Sequence, residues 1–233
     1  MTIDASWIKL MKSQARHAFS NTCPVRPQVV FIDGQINLMK SDKIVTWNAF
    51  VLYQFQRKIE AAFRMGARVV VLGFDNYAHV PRAKNMTQKK RMDSMAAMKF
   101  TADQELPASI PVNWPSAIKN RVFKTKVIGM VMRSLRGTFA NETAGSLVFD
   151  FMGSPEVVGL PMTMPRLLQS PLAAELPRGE CDIKAFAWQT LGPLLIESTD
   201  GDFMPLALLQ FECAQTRGMP HRWNGPGKVR IGD

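Results

Sequence analysis

Val29-Val30-Phe31-Ile32-Asp33-Gly34 is the stretch that decides the fold class. Four apolar residues in a row, three of them β-branched, make a short run that is apolar on both faces. Such a run suits a parallel strand covered by helices on both sides. It stops on an acid and a glycine, and ligands of open α/β sheets collect beyond the carboxyl ends of the strands. Thr46 to Met65 follows with Val51, Phe55, Ile59, Ala62 and Phe63 on one helical face, and Gly66 stands as its stop. Arg68-Val69-Val70-Val71-Leu72-Gly73-Phe74 then repeats the strand pattern and ends on Asp75. Strand, helix and strand in this order predict a βαβ unit with a right-handed crossover. Asp33 and Asp75 are therefore expected on one edge of a mainly parallel sheet flanked by helices.

Outward from this unit, Ser6 to Phe19 has the spacing of a leading amphipathic helix. A Met-rich helical stretch is predicted over Gln88 to Phe100, a proline-rich loop over Glu105 to Pro115, and a further helix over Ala117 to Leu135. Leu147-Val148-Phe149 reads as a strand ending on Asp150, and Val157 to Leu160 as a candidate strand. Asp150 is a reserve site candidate and is read rather as peripheral. Asp182 to Thr190 forms a short helix with Ile183, Phe186, Ala187 and Thr190 on one face and Trp188 elsewhere. Pro193 to Ser198 is a buried strand, and Arg217 to Asp233 carries no clear periodicity.

A chain of 233 residues can bury one sizeable core, so a single domain over 1–233 is expected, with a helical basic insertion over about 79–137. No apolar run approaches the ~18 residues of a membrane span. The first residues, Met1-Thr2-Ile3-Asp4, lack a signal peptide's basic start and apolar core, which gives the expectation of an intracellular protein that meets no membrane. Cys23, Cys181 and Cys213 are too scattered to indicate a disulfide framework or a zinc site. The net charge of +10, from 29 basic and 19 acidic residues, points to a polyanionic partner. Its distribution sharpens the point: no acid occurs from Leu106 to Asn141, where Lys119, Arg121, Lys124 and Lys126 fall. Arg82, Lys84, Lys89, Lys90 and Arg91 form a second cluster shortly after Asp75.

The acids are placed differently. Gly179-Glu180-Cys181-Asp182 opens the short helix, and Asp200-Gly201-Asp202 follows the last buried strand. Taken singly, such acids are ordinary surface charges or helix caps. With Asp33 and Asp75 they make six that end strands or open a helix. Crowded carboxylates repel and raise one another's pKa unless a cation compensates, and a hard divalent ion such as Mg²⁺ takes oxygen ligands of this kind. Glu180 and Asp182 converge only if Glu180 lies in the turn before the helix, which Gly179 makes easy. Asp200 and Asp202 share a face in extended backbone.

In this order the motifs resemble the flap endonucleases and related structure-specific 5′-nucleases of the PIN-like fold. The matching residues are Phe31-Ile32-Asp33, Leu72-Gly73-Phe74-Asp75, Gly179-Glu180-Cys181-Asp182 and Ser198-Thr199-Asp200-Gly201-Asp202. Pro81, Arg82, Lys84, Lys89, Lys90 and Arg91 stand where that family carries a basic helical arch. Asn76 replaces the family's glycine, and no counterpart of its C-terminal helix-hairpin-helix element follows Asp202. The resemblance implies two Mg²⁺ or Mn²⁺ ions about 3.5 to 4 Å apart, stabilising the attacking and leaving oxygens of an in-line displacement. Asp33, Asp75, Glu180 and Asp182 would hold one ion, and Asp200 and Asp202 the other. It implies cleavage of DNA at 5′ ends, flaps or single-strand junctions, at sites of nucleic-acid metabolism. Arg82, Lys84, Lys89, Lys90, Arg91, Lys119, Arg121, Lys124 and Lys126 would contact the strand. The rival expectations are a PIN-type ribonuclease and a nucleic-acid-binding protein that keeps this fold without catalysis.

Overall fold

The computed structural model describes residues 26–39, 43–76, 99–151, 155–159 and 181–198, together with 203, 206, 221–223 and 228–231. The strands are β1 (Val29–Asp33), β2 (Val69–Gly73), β3 (Ser146–Asp150), β4 (Glu156–Val158), β5 (Leu194–Glu197), β6 (His221–Trp223) and β7 (Lys228–Ile231). They form one sheet in the order β4-β3-β2-β1-β5-β7-β6. The four central strands β3, β2, β1 and β5 are parallel, and β4, β7 and β6 pair antiparallel outside them. The chain is thus an α/β fold around a mostly parallel sheet.

Side chains alternate between the two faces of a strand, and here both faces are buried. Val30, Ile32, Val70, Leu72, Leu147 and Leu195 enter one core cluster. Val29, Phe31, Val71, Val148, Leu194 and Ile196 enter the other. The first face is covered by α2 (Trp47–Val51), a π-helical turn (Leu52–Gln56), α3 (Arg57–Arg64), α4 (Trp114–Ala117) and α5 (Arg121–Phe139). The second is covered by α6 (Cys181–Ala187) and the 3₁₀ turn Trp188–Leu191. A single turn of helix, α1 (Gly34–Asn37), leaves β1 directly. Among the described residues no helix is long and apolar enough to cross a membrane.

Three expectations change. The helix foreseen over Ala117 to Leu135 starts later, at Arg121, and runs on to Phe139, while Ala117 instead ends a separate short helix that begins at Trp114. Asn113 caps α4, which has Pro115 in its first turn, and Asn120 caps α5 by accepting from the Phe123 amide at 3.0 Å. Of the expected insertion over 79–137, residues 79–98 lie outside the described residues. By contrast α5 is built into the main core through Phe123, Val127, Ile128, Val131 and Leu135. Among the described residues the buried face of α6 is Cys181, Lys184, Ala185 and Phe186, and Trp188 of the 3₁₀ turn continues that face rather than pointing elsewhere. The tail contributes β6 and β7, whose three- and four-residue runs between glycines and prolines are too short for periodicity to register. The leading helix over Ser6 to Phe19 and the Met-rich stretch before Lys99 lie outside the described residues.

The register sets up the site. Asp33 is level with Gly73, and Gly73 with Asp150. Ile32 is level with Glu197, so Ser198 follows beside Asp33. Strand order runs outward from β1 through β2 to β3 and then returns to place β5 on the other side of β1. That reversal is a topological switch point, where the carboxyl ends of neighbouring strands part and leave a crevice.

Candidate acidic centre at the switch point

Asp33 closes β1 and caps α1. Its Oδ1 accepts from the amides of Gln35 at 2.9 Å and Ile36 at 3.2 Å, as an N-cap carboxylate does. Its Oδ2 accepts from the Ser198 hydroxyl at 2.7 Å, and the Cys181 thiol lies 3.6 Å from Oδ1. The residue is 3% exposed. Burial pushes its pKa above the usual carboxylate value; Ser198, the Ile36 amide and Cys181 pull the other way, and the charge of Asp75 adds to the rise.

Asp75, two residues beyond β2, reaches the first residue of α6. Its Oδ1 accepts from the Cys181 amide at 2.9 Å, across 106 positions of chain. A helix begins with amides that have no partner within the helix, and here a distant carboxylate supplies one. Asp75 is therefore half-buried against α6 while its charge still acts on Asp33. Cys181 sits between the two acids. Its thiol is pushed well above the usual value by burial and then by the charges of Asp33 and Asp75, with Lys184 opposing. It therefore remains a protonated donor beside Asp33.

Behind this pair lies a second buried group. Lys184 donates to the Phe74 carbonyl at 2.9 Å, to Asp150 Oδ1 at 3.0 Å and to the Asp150 carbonyl at 3.4 Å. Asp150 Oδ2 accepts from the Trp188 indole at 3.1 Å. Asp150 is consequently neither peripheral nor open to a ligand; it is the buried partner of a lysine and a tryptophan. On the α3 side, Lys58 donates to Asn37 Oδ1 and lies 3.6 Å from Glu197, while Asn37 donates to the Asp33 carbonyl at 2.6 Å.

The structure brings Asp33 and Asp75 together at the start of α6. Asp182 is in the first turn of that helix, its side chain outside the described residues, and Glu180 immediately precedes it, also outside them. Asp200 and Asp202 lie outside as well, two and four positions beyond Ser198, as do Arg82, Lys84, Lys89, Lys90 and Arg91. Among the basic residues that are described, Lys124 stands on the first turn of α5, the end that faces the carboxyl edge because α5 runs from β2 back to the start of β3. Burial lowers its pKa, the charge of Asp75 opposes this, and Arg121 adds to it. Arg121 is exposed and Lys119 half-buried. Lys126 instead donates to the Gln104 carbonyl and lies 5.8 Å from the centre of the Phe100 ring, so it is engaged with the 99–113 loop.

Sequence reasoning missed Ser198, the thiol of Cys181 and the Lys184–Asp150 pair. One signal was present: Cys181, Lys184, Ala185 and Trp188 follow the i, i+3, i+4, i+7 pattern of a buried helical stripe with one lysine inside it.

Among the described residues no three His, Cys, Asp or Glu side chains gather as a metal cluster. The donor chemistry of the described part nevertheless fits a hard divalent cation: two carboxylates at the ends of adjacent strands, one buried and one half-buried, repel, and a cation between them would offset that repulsion. Compared with protein-family models, curated proteins and solved structures, the chain matches none, so the reading of this centre rests on its own residues.

Proposed function

We propose that the chain is a divalent-metal-dependent nuclease of the PIN-like, 5′-nuclease kind, hydrolysing phosphodiester bonds with DNA favoured over RNA. The observation that carries the reading is that described residues of all four motifs meet: Asp33, Asp75, Cys181 and Ser198. Asp33 and Asp75 touch the same residue, Cys181, from 148 and 106 positions away. Glu180 and Asp182 flank Cys181 in the chain, and Asp200 and Asp202 follow the serine that binds Asp33.

Asp33 and Asp75 would hold the ion, with Glu180 and Asp182 beside them and Asp200 and Asp202 completing the set. Bound there, Mg²⁺ or Mn²⁺ supplies a water of lowered pKa and neutralises charge on the phosphate. The chain's own contribution is orientation. Ser198, the α1 amides and the Cys181 thiol fix Asp33 from three directions, and the α6 amide fixes Asp75. Lys124, on the first turn of α5 and within the influence of the Asp75 charge, would add positive charge on the side from which a phosphate approaches.

The test is cleavage in Mn²⁺ of a 5′ flap, a plain duplex and a single-stranded RNA. Expected is metal-dependent hydrolysis of the flap first, lost in Asp75→Asn. Cleavage of RNA alone would make the chain a ribonuclease. Salt-dependent binding with no cleavage in any metal would leave a binding protein and overturn the catalytic reading.

A further inference from the structure

We propose that Lys184 is the positioning residue of the acidic centre: it latches α6 to the ends of β2 and β3, so that the Cys181 amide is presented to Asp75. The proposal rests on reading this edge as a metal-binding centre, but its geometry stands on the fold alone. Phe74 and Asp75 are consecutive residues leaving β2. The Asp75 carboxylate takes the Cys181 amide, and the Phe74 carbonyl takes the Lys184 ammonium. Cys181 and Lys184 are three positions apart, on one face and one turn of α6. One helix turn therefore grips two adjacent residues of the strand exit, once by backbone and once by side chain.

The ammonium has three donors, and three acceptors surround it: the Phe74 carbonyl, Asp150 Oδ1 and the Asp150 carbonyl. None is left for a phosphate, and the side chain is 2% exposed. Lys184 therefore cannot touch substrate and acts through others. Asp150 is held in turn by the Trp188 indole, and its carbonyl also accepts from the Phe74 amide at 2.9 Å. The ends of β2 and β3 are tied to each other and to α6 through one charge.

Stability alone does not call for a lysine here. The site lies in an apolar stripe, and well-packed apolar residues in place of a buried ion pair are often neutral or stabilising. What an apolar side chain could not do is reach two carbonyls and a carboxylate at once and so hold the helix at a fixed height against Asp75.

The experiment compares the parent with Lys184→Met/Asp150→Asn, which removes both charges while leaving an acceptor for Trp188. Amide hydrogen exchange of Cys181 and Mn²⁺ affinity by calorimetry are the readouts. Expected is a cooperatively folded variant with strand amides as protected as in the parent, Cys181 exchanging about tenfold faster or more, and Mn²⁺ bound roughly ten- to a hundredfold more weakly, as for groups that orient metal ligands. Unchanged protection of Cys181 in the folded variant overturns the proposal. If the parent binds no Mn²⁺, the metal-centre reading falls, and the Cys181 amide alone decides the latch. If the variant does not fold, the parent decides by nitrogen-15 NMR of its lysine ammonium groups: a slowly exchanging Lys184 ammonium supports the latch, and one exchanging like a surface lysine overturns it.

Discussion

The Ser198 hydroxyl donates to Asp33 Oδ2 at 2.7 Å, joining the ends of two neighbouring parallel strands that lie 165 positions apart in the chain. Both residues are buried, so this bond replaces water that neither can reach. A hydrogen bond to a buried carboxylate contributes more than one between neutral groups, about 1.5–3 kcal/mol. Ser198→Ala should therefore lower stability by roughly 1–3 kcal/mol at neutral pH, and by less in acid where Asp33 is protonated. Urea unfolding at both pH values measures this; an equal loss at both would mean that the bond does not serve the charged form.

Asp33 itself should weaken the fold at neutral pH. Its folded pKa lies above its unfolded value, chiefly through burial. The native state then holds the proton more tightly than the unfolded chain does. The stability tied to that proton is fully present below the unfolded value, about 3.9 for an aspartate, and is lost as pH rises through the folded value. Asp33→Asn keeps an acceptor for the α1 amides and removes the charge. It should gain stability over the parent as pH rises from ~4 towards neutrality, while abolishing metal-dependent cleavage. Parallel stability curves for the two proteins across that range would contradict the assignment.

Gly34 is required by space and not by backbone angle, since its φ is not positive. A Cβ there would come within 2.5 Å of the Phe74 ring and 2.6 Å of the Gly73 carbonyl. Both belong to the strand end that leads to Asp75. Gly34→Ala should cost about 1–3 kcal/mol, the usual scale for overpacking, and should weaken Mn²⁺ binding by pushing the two acids apart. Full stability in thermal unfolding would show that β2 gives way freely.

Cys181 should resist chemical modification. It is buried, and its thiol is pushed up by burial and by both acids. The thiolate is the reactive form, so iodoacetamide at pH 8 should leave Cys181 unlabelled in the native protein and label it fully in guanidinium. Peptide mass spectrometry separates it from Cys23 and Cys213. Rapid native labelling would mean that the start of α6 opens readily.

Lys124 should matter for binding more than for stability, because burial opposes its charge while Asp75 favours it. If it meets a phosphate, Lys124→Met should lower the slope of log affinity against log salt by about 0.7 for a single strand or 0.9 for duplex. An unchanged slope would move the phosphate contacts elsewhere.

How much of this could be read from the chain depended on the length of the signal. The runs at Val29, Val69, Leu147 and Leu194 are apolar on both faces and end abruptly, so the strands and the placement of Asp33 and Asp75 on one edge follow from pattern. The helix from Thr46 onward was legible too, except for its π turn at Leu52–Gln56, which no residue type announces. Asn120 could have been read as a cap, yet the apolar spacing on either side of it continues and hides the break. Lys184 and Asp150 lie 34 positions apart, and no local rule pairs them. Ser198 needed the register of β1 against β5, which exists only once the sheet is assembled.

The return of the chain to β1 also has a consequence in time. Val29 pairs with Val69 on one side and with Leu194 on the other, so one flank of β1 can zip early while the other waits for most of the chain to be made. Closing the longer loop costs on the order of 1 kcal/mol more entropy than closing the shorter one, and non-local pairings of this kind form late in folding. Ser198 and Cys181, which hold Asp33 and Asp75, both arrive with that second flank. During synthesis on a ribosome the two acids would emerge long before the residues that aim them, so a centre of this kind would stay unassembled while its own message is still being read.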